Sequence, residues 1–418
     1  MQRTTTNHME QGSRSQRDPN DDRRRRPPGA SGAGTQRSRR ATAALATAVG
    51  VIGSLAFTWP WEARGPWPRS SEHPVSPRPQ SPIRNDDAGF RFVAFGDQRA
   101  LADGEWQDMM PIIGRLCAQD PKIAFVADTG DIVQDGSHSD QFAMLAEILR
   151  PIDRWPYLVA VGNHETHFNR EESSGVALAR RNTHTFLAET SPNLSADQLY
   201  HAHDIGKARL LFLDTNDLVY GDTGDLDRPI TPPPDSRGAA QLTWLESQLR
   251  LPPQTVVVFM HHPLIHTSRK HSGQAQALWS IRWKGRILAD IFADAGVDLI
   301  VTGHTHTFER LRLRRRSDGH AMAVVNLSGR PRTSFLWFGR DARKARAIKR
   351  MNSEWFSEEG WEDMAGWDIS QPDLMPKPSL NQFALVSVEP DGTLSLEVHF
   401  IDEDAPRGTL RRPRAYLP

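Results

Sequence analysis

Six side chains of metal-ligand type stand just beyond short apolar runs. They are Asp97 in Gly96-Asp97-Gln98-Arg99, Asp131 in Asp128-Thr129-Gly130-Asp131, Asn163 in Gly162-Asn163-His164-Glu165, His261 in His261-His262-Pro263, and His304 and His306 in Gly303-His304-Thr305-His306. Oxygen and imidazole donors without a thiolate suit hard or borderline ions such as Mn, Fe or Zn. Any one of these motifs is unspecific. The chain carries its own control, His201-Ala202-His203, with the spacing of His304 and His306. If residues 199–205 form a strand, those two rings share a face and are expected at the surface. What sets the larger group apart is five ligand-bearing strand ends in succession.

The elements that must position these residues read as alternating strands and helices. Apolar runs at 91–95, 123–127, 157–161, 209–213, 256–260 and 298–302 predict buried strands, with helical patterns at about 105–118, 139–149, 237–250 and 277–295. The last part returns to β at 320–327, 383–388 and 394–400, the last two joined by the turn Pro390-Asp391-Gly392. This order predicts a layered α/β sandwich with mixed sheets. Functional groups of open α/β sheets gather at the carboxyl ends of the strands, so the five loops are expected to line one crevice. Residues 330–380 carry Trp337, Trp355, Trp361 and Trp367 and fit no sheet; they predict an insertion: a lid, a surface that leans on the membrane, or a segment packed on the domain. Arg310 to Arg316 alternates like an edge strand with a solvated basic face.

Together, Gly-Asp, Gly-Asp, Gly-Asn-His-Glu, Val258-Phe259-Met260-His261 and the run Gly303 to Arg310 resemble the calcineurin-like metallophosphoesterases over roughly residues 90–400. The purple-acid-phosphatase branch is the nearer match, and Asp214-Thr215-Asn216 with Gln241, Trp244 and Leu245 fits it too. The resemblance implies a four-layer α/β/β/α sandwich with two mixed β-sheets. It implies two divalent or trivalent ions (Fe, Mn or Zn) and hydrolysis of phosphate mono- or diesters. Asp131 would bridge the ions, Asp97 and His306 would hold the first, and Asn163, His261 and His304 the second. A hydroxide between the ions would attack phosphorus, and His164 would protonate the leaving oxygen or hold a phosphate oxygen. A nucleotide or nucleotide-sugar hydrolase, or a catalytically degenerate metal-binding protein, fits the same motifs.

The match fails at the first ion. The usual Asp-x-His motif has Arg99 in third place, and an arginine cannot ligate. The tyrosine that the purple-acid branch places three residues after the bridging Asp is here Gln134. Gln134 could ligate through its carbonyl oxygen, water could fill the gap, or Arg99 could stand in for the first ion as a fixed cation. The presence of both Asp97 and His306 favours two ions, with Arg99 turned to the substrate phosphate. His262 is a further candidate for substrate contact. Substrate choice is expected in the loops 166–198, 217–236 and 264–276, whose composition names no ligand.

Lys plus Arg and Asp plus Glu both number 51, so the zero net charge speaks against a nucleic-acid partner and leaves a small phosphorylated substrate. The single cysteine, Cys117, forms no intrachain disulfide, and its spacing from Ile113 predicts burial on a helix face. Residues 1–40 are polar and Arg-rich, which predicts disorder. Residues 41–59 are uncharged and follow Arg37, Arg39 and Arg40, predicting a membrane signal anchor or a cleaved export signal with the catalytic domain outside the cytoplasm. A Pro-rich spacer at 60–88, a metallophosphoesterase domain at 89–402 and a tail at 403–418 complete the division. Nothing in the sequence sets the oligomeric state.

Overall fold

A strand that is apolar on both faces must be covered on both faces, and that requirement orders this molecule. The computed structural model describes residues 88–99, 105–167, 173–189, 191, 194–220, 231–250, 255–265, 278–279, 281–328, 366–370, 373–374, 381–401 and 414–416. The predicted disordered segment 1–40, the anchor 41–59 and most of 330–380 lie outside them. The elements are β1 (Phe90–Phe95), α1 (Glu105–Gln119), β2 (Ile123–Asp128), α2 (Ser139–Ile148), β3 (Tyr157–Val159), α3 (Asn163–Thr166), α4 (Ser173–Ala188), β4 (His201–Ile205), β5 (Ala208–Phe212) and α5 (Asn216–Val219). Then follow α6 (Arg237–Leu249), β6 (Thr255–Met260), β7 (Arg282–Trp283), β8 (Arg286–Ile287), α7 (Leu288–Asp294), β9 (Val297–Thr302), β10 (Phe308–Arg315) and β11 (Ala321–Leu327). The chain ends with β12 (Trp367–Ile369), β13 (Asp373–Leu374), β14 (Gln382–Val388), β15 (Leu394–Phe400) and β16 (Arg414–Tyr416).

Two mixed sheets result. One runs β16-β15-β14-β1-β2-β3, with β1, β2 and β3 parallel; the other runs β12-β10-β11-β9-β6-β5-β4, with β5, β6, β9 and β11 parallel. Alternate residues of each strand point to opposite faces. Phe92, Ala94, Phe125 and Leu158 therefore meet Leu210, Phe212, Val257, Phe259 and Val301 between the sheets. Val93, Phe95 and Val126 turn the other way onto Met109, Ile113 and Cys117 of α1 and Phe142 of α2. On the far side, Val258, Met260 and Ile300 pack on Leu242 and Leu245 of α6 and Phe292 of α7. Each buried Val, Leu, Ile, Phe or Met among them contributes about 1.5–3 kcal/mol relative to exposure. The result is the four-layer α/β/β/α sandwich. Cys117 sits inside it, where burial pushes its thiol up to about 12.

Four expectations change. Residues 277–295 are not one helix: the left-handed pair Lys284 (φ 51) and Gly285 (φ 78) turns β7 back on β8 before α7 begins. Within the loop expected at 166–198 lies α4. The strand β10 is no edge, because β12 and β13 bond its outer side and so join the end of the 330–380 segment to the sheet. The tail likewise returns as β16 beside β15. Unpaired strand edges expose backbone donors and acceptors, and these short strands satisfy them. Among the described residues, no helix is long and apolar enough to cross a membrane.

Candidate metal centre

The strand ends converge through strained backbone. Six described non-glycine residues have positive φ, and five belong here: Asp97 (62°), Arg99 (45°), Asp131 (58°), His304 (72°) and His306 (52°). A left-handed non-glycine residue costs on the order of 1–3 kcal/mol and persists only where its surroundings hold it. They do so here. Asp97 N–H donates to the Gly130 carbonyl (2.9 Å) and Arg99 N–H to the Asp131 carbonyl (2.8 Å), lacing the β1 and β2 loops together. His304 N–H donates to Asp97 Oδ2 (2.8 Å), and His306 N–H to Ser328 Oγ (2.9 Å). A Cβ at Gly303 would lie 2.6 Å from Asp97 Oδ2, so only glycine lets the β9 loop approach.

Four donor atoms from four loops form the better-defined half. His261 Nε2 and His304 Nδ1 each lie 3.1 Å from Asn163 Oδ1 and 3.1 Å from each other, and Asp131 Oδ1 is 3.3 Å from His261 Nε2. Donors about 2.1 Å from one cation have mutual separations of about 3.0–3.4 Å, so this set fits a metal ion. His261 Nδ1–H donates to the Thr129 carbonyl (2.8 Å), which leaves the Nε2 lone pair facing the other donors. Asp97, Asp131 and His261 also offer a buried cluster of ligand atoms within 4.8 Å of one another. Burial raises the Asp97 carboxyl, a tendency that His261 opposes and Asp131 reinforces. A buried pair of carboxylates stays ionised only beside positive charge.

The other half is built differently. Arg99 Nη2 lies 3.2 Å from Asp131 Oδ2 and 3.2 Å from His306 Nε2, and Nη1 donates to Gln134 Oε1 at 3.4 Å. His306 Nε2 is 3.6 Å from Asp97 Oδ1. Burial alone would raise Asp131, yet His164, His261 and Arg99 hold it well below the usual carboxylate range.

His164 stands beside the same carboxylate, with Nδ1–H donating to the Gln134 carbonyl (2.6 Å) and Nε2 3.6 Å from Asp131 Oδ2. Burial lowers its imidazole to about 4 against the pull of Asp131. His262, a candidate for substrate contact, is fully buried and sets Nδ1 against Thr215 Oγ1 (2.8 Å) and Nε2 against the Tyr220 hydroxyl (3.4 Å). It packs its ring 4.4 Å from that of His304.

Several supporting residues carry no role in the sequence reading. Glu165 accepts from the backbone of Asp131, Gly162 and Val133, tying the β2 and β3 loops together. Ser328 Oγ–H donates to Asp97 Oδ2 (2.6 Å) while accepting from His306. Asp128 accepts from Tyr157 and from Gly130. Glu165 and Asp128 lie inside the ligand motifs, so proximity was an available signal; Ser328 had none. Asn216 Nδ2 reaches the carbonyl of Gly162 (3.0 Å), and Gln241 clasps the backbone of Asp214, so that α6 and the β5 end brace the Asn163 loop.

Histidine, carboxylate and amide donors at the strand ends of a four-layer sandwich, beside a fixed arginine, define a metal-dependent phosphoesterase. The profile of the calcineurin-like phosphoesterases matches residues 90–308, over half of the chain, and the chain belongs to that family of phosphoester hydrolases. It is 26% identical over 240 residues to the uncharacterized protein Rv2577 of Mycobacterium tuberculosis, covering 53% of this chain and 43% of that one. Over 190 residues it is 25% identical to purple acid phosphatase 21 of Arabidopsis thaliana, covering 44% of this chain and 38% of the relative. The chain thus spans less than half the length of these relatives. The purple acid phosphatase PPD1 from yellow lupin shares its fold at a TM-score of 0.50 and 18% identity, over 80% of this chain and 55% of that structure.

Proposed function

We propose that this chain hydrolyses small phosphate mono- or diesters at the Asp131 centre. The observation that carries the reading is the convergence of Asp131, Asn163, His261 and His304 donor atoms at 3.1–3.3 Å. When bound there, a cation such as Mn, Fe or Zn supplies Lewis-acid charge and acidifies water. The chain's own residues do the rest. Asp131 presents one carboxylate oxygen to the ion-binding group and the other to Arg99. The planar Arg99 guanidinium, held at that carboxylate, offsets charge on a phosphoryl group brought beside it. His164, anchored through Nδ1, keeps Nε2 toward the same place, where it meets a phosphate oxygen or hands a proton to the leaving oxygen. The negative charge of the substrate favours the imidazolium needed for that transfer.

The test is hydrolysis of p-nitrophenyl phosphate and of bis(p-nitrophenyl) phosphate, with Asp131→Asn as control. Activity on either ester that disappears in the variant supports the reading; a variant as active as the parent removes it. We further propose that residues 41–59 carry the domain out of the cytoplasm, which fractionation of the full chain into cytosolic and envelope material tests directly.

A further inference from the structure

We infer that this is a one-ion centre in which the Arg99 guanidinium takes the place of the first metal. The inference rests on the phosphoesterase reading and deepens it. Arg99 Nη2 sits 3.2 Å from both Asp131 Oδ2 and His306 Nε2, and Nη1 sits 3.4 Å from Gln134 Oε1. With Asp97 Oδ1 3.6 Å from His306, these are the side chains that would have to surround a first ion.

Three physical facts keep the guanidinium there. Its backbone is fixed: Arg99 has φ 45°, and its N–H donates to the Asp131 carbonyl at 2.8 Å. Its charge is permanent, because arginine does not deprotonate in proteins. It also consumes the ligating atoms. A guanidinium N–H can only donate, so His306 Nε2 must accept, and the lone pair that would bind an ion is the one engaged by Arg99. Asp131 Oδ2 likewise spends one of its two lone pairs on Arg99. An ion in this pocket would have to displace an arginine whose side chain is only 17% exposed, or share the pocket with a like charge.

Charge does not call for a second ion either. Asp97 and Asp131 are buried carboxylates, 0% and 1% exposed. One divalent ion among Asp131, Asn163, His261 and His304, with Arg99 on the other side of Asp131, is enough to offset these two. Asp97 then serves as an acceptor for His304 N–H and Ser328, which positions the β9 loop. His306 serves as the acceptor that aims Arg99. Neither needs a second ion to account for its place.

The experiment is the metal content of the full chain after equilibrium dialysis against Mn(II), Zn(II) or Fe(II), measured by mass spectrometry of the elements alongside Mn(II) paramagnetic resonance. The expected result is one ion per chain and the spectrum of an isolated Mn(II). His304→Ala is expected to lose that ion, whereas His306→Ala keeps one ion with unchanged affinity. Arg99→His is expected to rise to two ions and to show a spin-coupled Mn(II) pair. Two ions on the parent chain, with one lost in His306→Ala, would overturn the inference and leave the phosphoesterase reading intact. No ion on the parent chain would overturn both. Because the parent chain and His306→Ala decide the matter alone, a poorly folding Arg99→His protein does not rescue it.

Discussion

Two His-x-His pairs in this chain have the same spacing and opposite fates. His201 and His203 lie within β4, where extended backbone puts i and i+2 on one face. His203 Nε2–H donates to His201 Nδ1 at 3.0 Å, and His201 Nε2–H donates to the Val159 carbonyl at 3.1 Å. The His201 ring stacks on Phe212 at 4.7 Å, so the residue is buried rather than on the expected surface. His304 and His306 follow β9 on left-handed backbone, φ 72° and 52°. Their rings diverge: His304 Nδ1 faces Asn163 and His261, while His306 Nε2 faces Arg99. Spacing alone did not make the site. Two costly backbone conformations and five converging loops did.

The sharpest way to break this contrast is to truncate one histidine from each pair. His304→Ala is expected to lower turnover of p-nitrophenyl phosphate by ~10⁴-fold, since it deletes a donor of the ion that supplies several kcal/mol of transition-state stabilisation. His203→Ala is expected to leave turnover and metal content roughly unchanged. Equal losses in the two variants would mean that the β4 pair belongs to the chemistry. Next in size is His164→Ala, expected to lower kcat by about 10²–10³-fold. If His164 serves the leaving oxygen, the loss grows when p-nitrophenyl phosphate is replaced by phenyl phosphate, whose leaving group needs the proton more. A loss independent of the leaving group would assign His164 to phosphate binding alone. Smaller again is Ser328→Ala, which leaves the ligands in place but frees Asp97 and the His306 backbone. Supporting hydrogen bonds of this kind are worth about 10–100-fold in activity or metal affinity. An unchanged kcat/KM and unchanged metal affinity would show that the left-handed loop holds itself.

Particular residues show why some of this was legible in sequence. The strands stand out because both faces are buried, so Phe92 and Val93 point opposite ways yet both are apolar. The step from such a run to Gly-Asp or Gly-His then marks a strand end. Helix α4 gave no such signal: among its described side chains it buries Ala179, Thr183, Phe186 and Leu187, a stripe with few large hydrophobes. Its Thr183 Oγ–H donates to the Glu165 carbonyl at 3.0 Å, so a polar contact does part of what an apolar stripe usually does. The hairpin β7–β8 was hidden because two-residue strands show no periodicity. The aim of Arg99 was illegible for a different reason. Residue type said that it could not ligate; only the backbone bond to Asp131 and the position of His306 say where its charge goes.

The remaining prediction concerns the β4 pair itself. Burial lowers His201 to about 3 and His203 to about 4, each from an unfolded value near 6.5. Between those values the unfolded chain binds more protons than the native one, so stability rises with pH there; it is complete above about 6.5 and is lost as pH falls. The hydrogen-bond directions explain the resistance to protonation. His201 Nδ1 is the acceptor of the His203 N–H, and a proton on it would confront that donor inside the core. The loss at pH 5 is on the order of 2 kcal/mol per histidine. Urea unfolding with chelator present, at pH 7.5 and pH 5.0, should therefore show a smaller drop for His201→Gln/His203→Gln than for the parent chain. The variant is expected to be less stable at pH 7.5, yet to close part of the gap at pH 5.0. The ligand histidines are common to both proteins and cancel in the comparison. A parallel fall in the two proteins would show that His201 and His203 are charged in the native state, and the contrast between the pairs would then rest on geometry alone.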